Sequence, residues 1–570
     1  MADEVPNTSK GVTRRSFFGK AAAASLLPLT AAPRINAEAK STSFLDLLRA
    51  PDRITVYARL DQPLALDRAA SEWRGSSVEV ETRISNQALD ITVSAPTVDL
   101  RYLHIRWQQP VATSLLTLGD AWERSYGDLG WRNLIPERVM PWYFATYDSR
   151  TFHAYGVKTG AATLCFWQLD PDGVSLWLNT SNGGSGVQLG QRKLLAATVV
   201  SRQGSADEEV TAALRSFCKQ MCSRPQLPFV PVYGTNDWYY AYSRNSAKQT
   251  LADADFVASL SPSNGVRPFA VIDEGWEDGS TAFPSMAGLA EEIRQRKVRP
   301  GIWIRPLRTN TDTDRRLLMP EARFGDNRER AKELALDPTV PEAMELAIAK
   351  VKQVADSGYE LIKHDFSTYD LLGQWGFEMG ADPTLRGWSL HDRTRTNAEV
   401  ITDLYTRIRK AAGQKKLVLG CNTIGHLAQG LFDISRTGDD TSGRIWERTR
   451  RMGINTLAFR LPQHNAFFIQ DADCVGITPA IPWEKNRQWL GLLAQSGTAL
   501  FISPGEGART PDKASTIRDA FQLAAAGGAD AMPASWKEES TPRNWVASHK
   551  NLHYDWTSPD GAFPFTGDGN

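Results

Sequence analysis

The stretch GYELIKHDFSTYD, residues 358–370, decides how the rest of the chain is read. A short apolar run, Leu361 and Ile362, follows a helix-patterned segment and breaks off at Lys363, His364 and Asp365. Charge thus collects where a buried strand would emerge. In a (β/α)8 barrel the strands pack inward with branched apolar residues, and the chemistry sits on their C-terminal ends and the loops that follow. Asp365 is therefore the leading nucleophile candidate. A single Lys-x-Asp reads equally as a solvated ion pair on a surface strand, so the argument rests on repetition of the pattern.

The repetition is there. Eight short apolar runs alternate with helical patterns: PVYGTNDW at 231–238, FAVIDEGW at 269–276, PGIWIRP at 300–306, ELIKHDF at 360–366, KLVLGCNT at 416–423, DISRTGDD at 433–440, FFIQDADCVGI at 467–477 and GTALFIS at 497–503. Such alternation predicts a parallel α/β fold, and eight strands make a (β/α)8 TIM barrel, placed at 229–530. The segments between fit helices. In 340–355, Met344, Ala347, Val351 and Val354 fall on one face behind a start signal at Asp337-Pro338-Thr339; in 397–412 the stripe is Val400, Ile401, Leu404, Tyr405 and Ile408.

Upstream, at 43–223, the period drops to two: ITVYARL at 54–60, SVEVETRI at 77–84, DITVSA at 90–95, YLHIRW at 102–107, AATLCFWQL at 161–169 and VSLWLN at 174–179. Alternation punctuated by Asp-Pro, Asp-Gly and Asn-Gly-Gly predicts an antiparallel β-sandwich. Inside it, TLGDAWERSYGDLGWRN at 117–133 is a long polar-aromatic loop, whose Asp128 and Trp131 either reach a neighbouring site or cap a sheet edge. A helix is expected at 208–224 and a closing helix at 513–526. Residues 531–570 form a short C-terminal extension, without the pattern of a third β domain.

At the other end, Arg14-Arg15 precedes an apolar Ala-rich segment at 21–29 and an Ala-Glu-Ala near 37–39. These parts in order predict an export signal over 1–39 resembling the twin-arginine type, and hence a bacterial protein exported to the periplasm or secreted. No run is long enough to span a membrane. Lys plus Arg equals Asp plus Glu, 65 each, so no basic field attracts nucleic acid. Five cysteines make no disulfide framework, and the helically spaced Cys218 and Cys222 have no neighbouring His to complete a metal site.

Five of the eight barrel runs end in ionisable or amide side chains: Asn236 with Asp237, Asp273 with Glu274, Arg305, Lys363 with Asp365, and Asp439 with Asp440. Carboxylates converging without a His cluster point to acid–base chemistry on a neutral substrate, and glycoside hydrolysis is the reaction class this serves best. No metal or other cofactor is expected, since His364, His426 and His464 lack ligand spacing. The partner is an oligosaccharide or glycoside, and homo-oligomerisation is left open.

The segments VIDEGW at 271–276, IKHD at 362–365 and RTGDDT at 436–441 resemble glycoside hydrolase clan D, the α-galactosidases and relatives of families 36 and 27. A sandwich followed by a barrel is similar to family 36. The resemblance implies Asp365 as nucleophile, Lys363 as a ligand of sugar hydroxyls, Asp439 as acid/base, and Asp273, Glu274 and Trp276 as further sugar ligands. Asn422, Arg436 and Asp237 are further candidate sugar ligands. Glu274 departs from the second aspartate usual before Gly-Trp, Cys421 to His426 replaces a Gly-rich segment, and Arg305 stands where the family has an acidic or neutral group.

The expected activity is that of a retaining exo-acting α-glycosidase most like an α-galactosidase. Competing readings are a transglycosidase of raffinose-synthase type and a non-catalytic carbohydrate-binding protein. Two points stay open. Arg305 either meets an anionic substrate group or pairs with Glu274 or Asp273. Asp439 and Asp440 adjoin, so strand alternation lets only one face Asp365; the Thr437-Gly438 setting selects Asp439.

Overall fold

The computed structural model describes residues 43–59, 62–277, 281–558 and 561; the export signal read at 1–39 lies outside them. Period-two patterning builds the N-terminal sheets. In Val78–Ser85, Val78, Val80 and Thr82 are buried while the residues between them face outward. One antiparallel sheet has six strands, centred on Tyr102–Gln108 and Gly173–Asn179, and the other has nine, centred on Leu194–Ala206. Aromatics fill the space between: Phe144 of the second sheet lies 5.4 Å, centroid to centroid, from Trp167 of the first. Many tryptophans are therefore core, Trp73, Trp107, Trp142 and Trp167 among the largest fully buried side chains. Helix Val210–Met221, whose first amides Thr211 and Ala212 are capped by the Glu209 carboxylate, leads out of the sandwich.

A barrel strand falls on each of the eight apolar runs, two of them reaching one residue beyond the run. The strands are β1 (Tyr233–Asn236), β2 (Phe269–Ile272), β3 (Arg299–Ile304), β4 (Leu361–His364), β5 (Leu417–Gly420), β6 (Ile434–Arg436), β7 (Ile469–Ile477) and β8 (Ala499–Pro504). They pair in parallel and close, β8 on β1. β1, β2, β4, β5 and β6 are buried at every residue, because side chains line the barrel on one face and helices cover the other. The helices flanking β4 lie at Pro341–Asp356 and Asn397–Ala412. Thr396 starts the second with a capping box: its hydroxyl accepts from the Glu399 amide, and the Glu399 carboxylate accepts from the Thr396 amide.

Two features exceed the sequence reading. The C-terminal extension folds three short antiparallel strands, Met532–Pro533, Asn544–Ala547 and Lys550–His553. Buried Trp545 and Trp556 supply a small core, and Trp446, just after β6, donates its indole N–H to the Trp556 carbonyl at 2.7 Å. The sandwich also extends the barrel. Ser125, in the loop between Leu116–Gly119 and Arg132–Asn133, bridges in parallel to Gly438: its amide donates to the Thr437 carbonyl at 2.9 Å and its carbonyl accepts from the Asp439 amide at 2.8 Å.

Candidate active site

The C-terminal ends of the barrel strands open into a cavity of about 720 Å³. Asp273, Glu274, Trp303, Lys363, Asp365, Asp439 and Asp440 line it from the strand ends, with Phe366 and Trp375 beyond β4. Arg448 and Arg451 line it from the segment after β6, and Arg124 and Tyr126 from the sandwich loop.

Asp365 follows β4 directly and its carboxylate is held from three sides. Trp303 Nε1 donates to Oδ2 at 2.9 Å, and the amides of Asn422 and Phe366 donate to Oδ1 at 2.9 and 2.8 Å. Phe366 sits in the left-handed region, φ 63°, a conformation costing a β-carbon residue on the order of 1 kcal/mol. Its ring meets the Arg305 guanidinium at 4.3 Å and Trp303 at 6.4 Å, contacts that hold this turn in place. Burial alone would raise the Asp365 pKa, but Arg124, Lys363 and the indole N–H outweigh it and hold the group below the usual carboxylate range.

Lys363 reaches back across the barrel to Asp273 at 2.6 Å. Burial disfavours the ammonium, yet Asp273 keeps its pKa well above the ordinary lysine value. Asn236 also donates to Asp273, at 2.6 Å. Behind them Asp237, buried, accepts from the Asp273 amide and from Asn245, and burial with the Asp273 charge pushes its pKa well up. Glu274 pairs with Arg308 at 3.1 Å, with its pKa raised by burial.

The acidic pair after β6 is surrounded by arginines. Asp439 bridges Arg124 and Arg448, both at 2.8 Å. Asp440 lies 3.2 Å from Arg436 and 3.5 Å from Arg124; burial opposes its charge, but those cations hold its pKa far below the ordinary range. The alternation argument fails here, because β6 ends at Arg436 and the chain continues as the bridge to Ser125. Both carboxylates consequently line the cavity with Asp365.

Seven candidates lie off the cavity wall. Trp276 donates its indole N–H to the Trp303 carbonyl at 2.9 Å, as a support for β3. The Asn422 side chain, fully buried, faces Glu123 and the Tyr369 amide, so only its backbone touches Asp365. Arg436 lies behind the pair, ion-paired with Asp473 at 2.8 Å as well as Asp440. Asp237 backs Asp273. Arg305 meets neither Glu274 nor Asp273: it pairs with fully buried Asp370 at 2.6 Å and Glu333 at 2.9 Å. Asp128 is exposed, and Trp131 is buried against Trp536, Tyr147 and Phe152. The loop does reach the site, but through Arg124 and Tyr126, with Glu123 buried behind them.

Among the described residues, no group of three His, Cys, Asp or Glu side chains is placed to hold a metal ion. His364 packs edge-on against Tyr405 and Phe432, and burial lowers its pKa to about 4. His426 is bonded to the Val157 carbonyl and stacked on Trp142.

No family model matches the chain. Solved structures do match in fold. An α-galactosidase from Thermus thermophilus, TtGalA, in complex with p-nitrophenyl α-D-galactopyranoside, superposes with a TM-score of 0.57 at 18% identity, over 84% of this chain and 97% of that one. The galactosidase domain of the α-galactosidase–sucrose kinase AgaSK gives 0.53 at 14%, over 87% and 75%. The family 36 α-galactosidase AgaA A355E from Geobacillus stearothermophilus, in complex with 1-deoxygalactonojirimycin, gives 0.51 at 11%, over 83% and 72%. The chain has the fold of family 36 α-galactosidases.

Proposed function

We propose that the protein is a retaining exo-acting α-glycosidase of the α-galactosidase type. The observation that carries the reading is the Asp365 carboxylate, fixed by three N–H donors in a cavity that also presents Asp439. Asp365 Oδ attacks the anomeric carbon as the bond to the leaving oxygen breaks, and Asp439 gives that oxygen its proton. Asp439 then takes a proton from water, whose oxygen displaces Asp365 and restores the configuration. Asp439 is taken rather than Asp440 on its Thr437-Gly438 setting, and both carboxylates line the cavity. Lys363, Asp273 and Glu274 supply the charged ligands for sugar hydroxyls, and Trp303 and Trp375 the flat apolar faces that pack on sugar C–H groups.

The test is a panel of nitrophenyl α- and β-glycosides, with the anomer of the first-formed product read by NMR. Turnover of an α-galactoside-like member to the α-anomer supports the reading; release of the β-anomer removes the retaining mechanism, and no turnover removes the activity. We place the enzyme outside the cytoplasm on the strength of residues 1–39, testable by fractionating cells that express the full chain beside an Arg14→Lys, Arg15→Lys variant.

A further inference from the structure

Glu123 is a buried acid that the mechanism above leaves without a role. It is contributed by the sandwich and buried, yet the donors to its carboxylate lie at or beside the barrel site. Oε1 accepts from the Tyr126 hydroxyl at 2.6 Å and from the Gly376 amide at 3.0 Å. Oε2 accepts from the Asn422 side-chain amide. Gly376 comes this close because it has no side chain: its φ is +56°, and a Cβ there would lie 2.8 Å from the Tyr126 ring.

Asn422 is the link to the chemistry. Its Oδ1 accepts from the Tyr369 amide at 3.1 Å and its Nδ2 donates to Glu123, so the side-chain amide is oriented at both ends. Its backbone N–H, thereby fixed, donates to Asp365 Oδ1. We propose that Glu123 is a positioning residue that acts through Asn422 to aim the Asp365 carboxylate, and that it does so only when ionised. The inference rests on the reading of Asp365 as nucleophile.

The requirement for charge follows from counting donors. Three N–H or O–H groups point at two oxygens, a pattern that a carboxylate accepts in full. A protonated acid carries one donor of its own, which must face an amide N–H or turn the Tyr126 hydroxyl from donor to acceptor. At least one of the three bonds is then lost or reversed. The charged and titratable groups around Glu123 are Arg124 and Tyr126 on its own loop, Asp439 beyond β6, and Tyr405 on helix Asn397–Ala412. Burial dominates this balance and lifts the carboxyl to about 7, against the opposing effects of Arg124, Tyr126 and the Gly376 amide. A raised acid pKa means that the fold binds the proton more tightly than the unfolded chain does. This group's contribution to stability is therefore larger in acid and falls as pH rises from about 4.5 to about 7. Activity should run the opposite way.

Those opposite signs separate positioning from mere support. In Glu123→Gln, melting at pH 8 should stay within about 3 °C of the parent or rise, while kcat falls roughly 10- to 50-fold with KM within about twofold, and the acidic limb near pH 7 disappears from the kcat profile. Tyr126→Phe removes a bond that favours the ionised form and should move that limb to higher pH, which serves as the reading if Glu123→Gln does not fold. Crystal structures of parent and Glu123→Gln give a result independent of turnover: loss of the Asn422 amide contact to Asp365 is expected, and its retention overturns the proposal. A folded Glu123→Gln with kcat within twofold and an unmoved limb overturns it too. Failure of the parent on every glycoside would instead count against the proposed activity, leaving the structural comparison to decide this point.

Discussion

The cavity has two walls of different origin. The barrel wall is made of strand ends: Trp303 of β3 and Lys363 of β4 are register partners, and Asp273 and Asp365 each follow the last residue of a strand. Its side chains are placed by a parallel ladder that local sequence specifies. The sandwich wall, Arg124 and Tyr126 with Glu123 buried behind them, belongs to a loop. It reaches the site through the Ser125 bridge, and Glu123 meets an asparagine 299 residues further along the chain. The barrel wall carries the carboxylates proposed to react, and the loop contributes charges and hydrogen bonds that surround them. Changes to the first should remove chemistry, whereas changes to the second should retune it.

The sharpest contrast comes from the proposed nucleophile and acid/base. Asp365→Asn should lower kcat by on the order of 10³-fold or more, with the fold retained, since removing a nucleophile abolishes the covalent route. Asp439→Ala should cost about 10²- to 10⁴-fold on substrates with poor leaving groups and far less on activated ones, with azide rescue giving a retained product. If Asp440→Ala shows the rescue and Asp439→Ala does not, the acid/base assignment moves by one residue.

Arg124→Gln tests the other wall. This guanidinium is buried, bonds Asp439 at 2.8 Å, lies 3.5 Å from Asp440, and helps hold the Asp365 pKa down. Its removal should cut kcat about 10- to 100-fold and move the acidic limb of kcat/KM to higher pH. The sign follows from linkage: with the cation gone, Asp365 and Glu123 both take up protons more readily, so the ionised forms are reached later as pH rises. An unmoved limb would mean that the sandwich wall is scaffolding only, and the distinction between the walls would lapse.

The same division explains what could be read in advance. Eight apolar runs, five of them ending in ionisable or amide side chains, are a local pattern, and a strand falls on each run. Asp273, Glu274, Lys363, Asp365, Asp439 and Asp440 were legible as strand-end residues because parallel strands place such positions at the barrel mouth. Asn422 and Arg436 stand equally near strand ends, but their side chains turn behind the wall toward Glu123 and Asp473, a choice made by tertiary partners. Arg305 is similar: Asp370 and Glu333, rather than the acids of β2, neutralise it. The 117–133 loop stood out by length and composition. Which of its residues reach the cavity depends on how sandwich docks to barrel, and no periodicity encodes that.

Trp131 and Asp128 give the finest test, because both lie within a few residues of Arg124 yet outside the cavity. Trp131 is 9% exposed and packs on Trp536, Tyr147 and Phe152, so Trp131→Ala should destabilise by about 3–5 kcal/mol through the cavity left behind. Its kinetic constants, measured well below melting, should change less than those of Arg124→Gln. The exposed Asp128 is joined to Arg132 through its carbonyl oxygen, a bond that survives replacement of the side chain. Asp128→Ala should therefore leave stability within about 0.5 kcal/mol and both kcat and KM within twofold. A larger kinetic effect at Asp128 than at Arg124 would show that the loop approaches substrate from its outer end, and the sandwich wall would have to be redrawn around Asp128 rather than the Glu123 to Tyr126 segment.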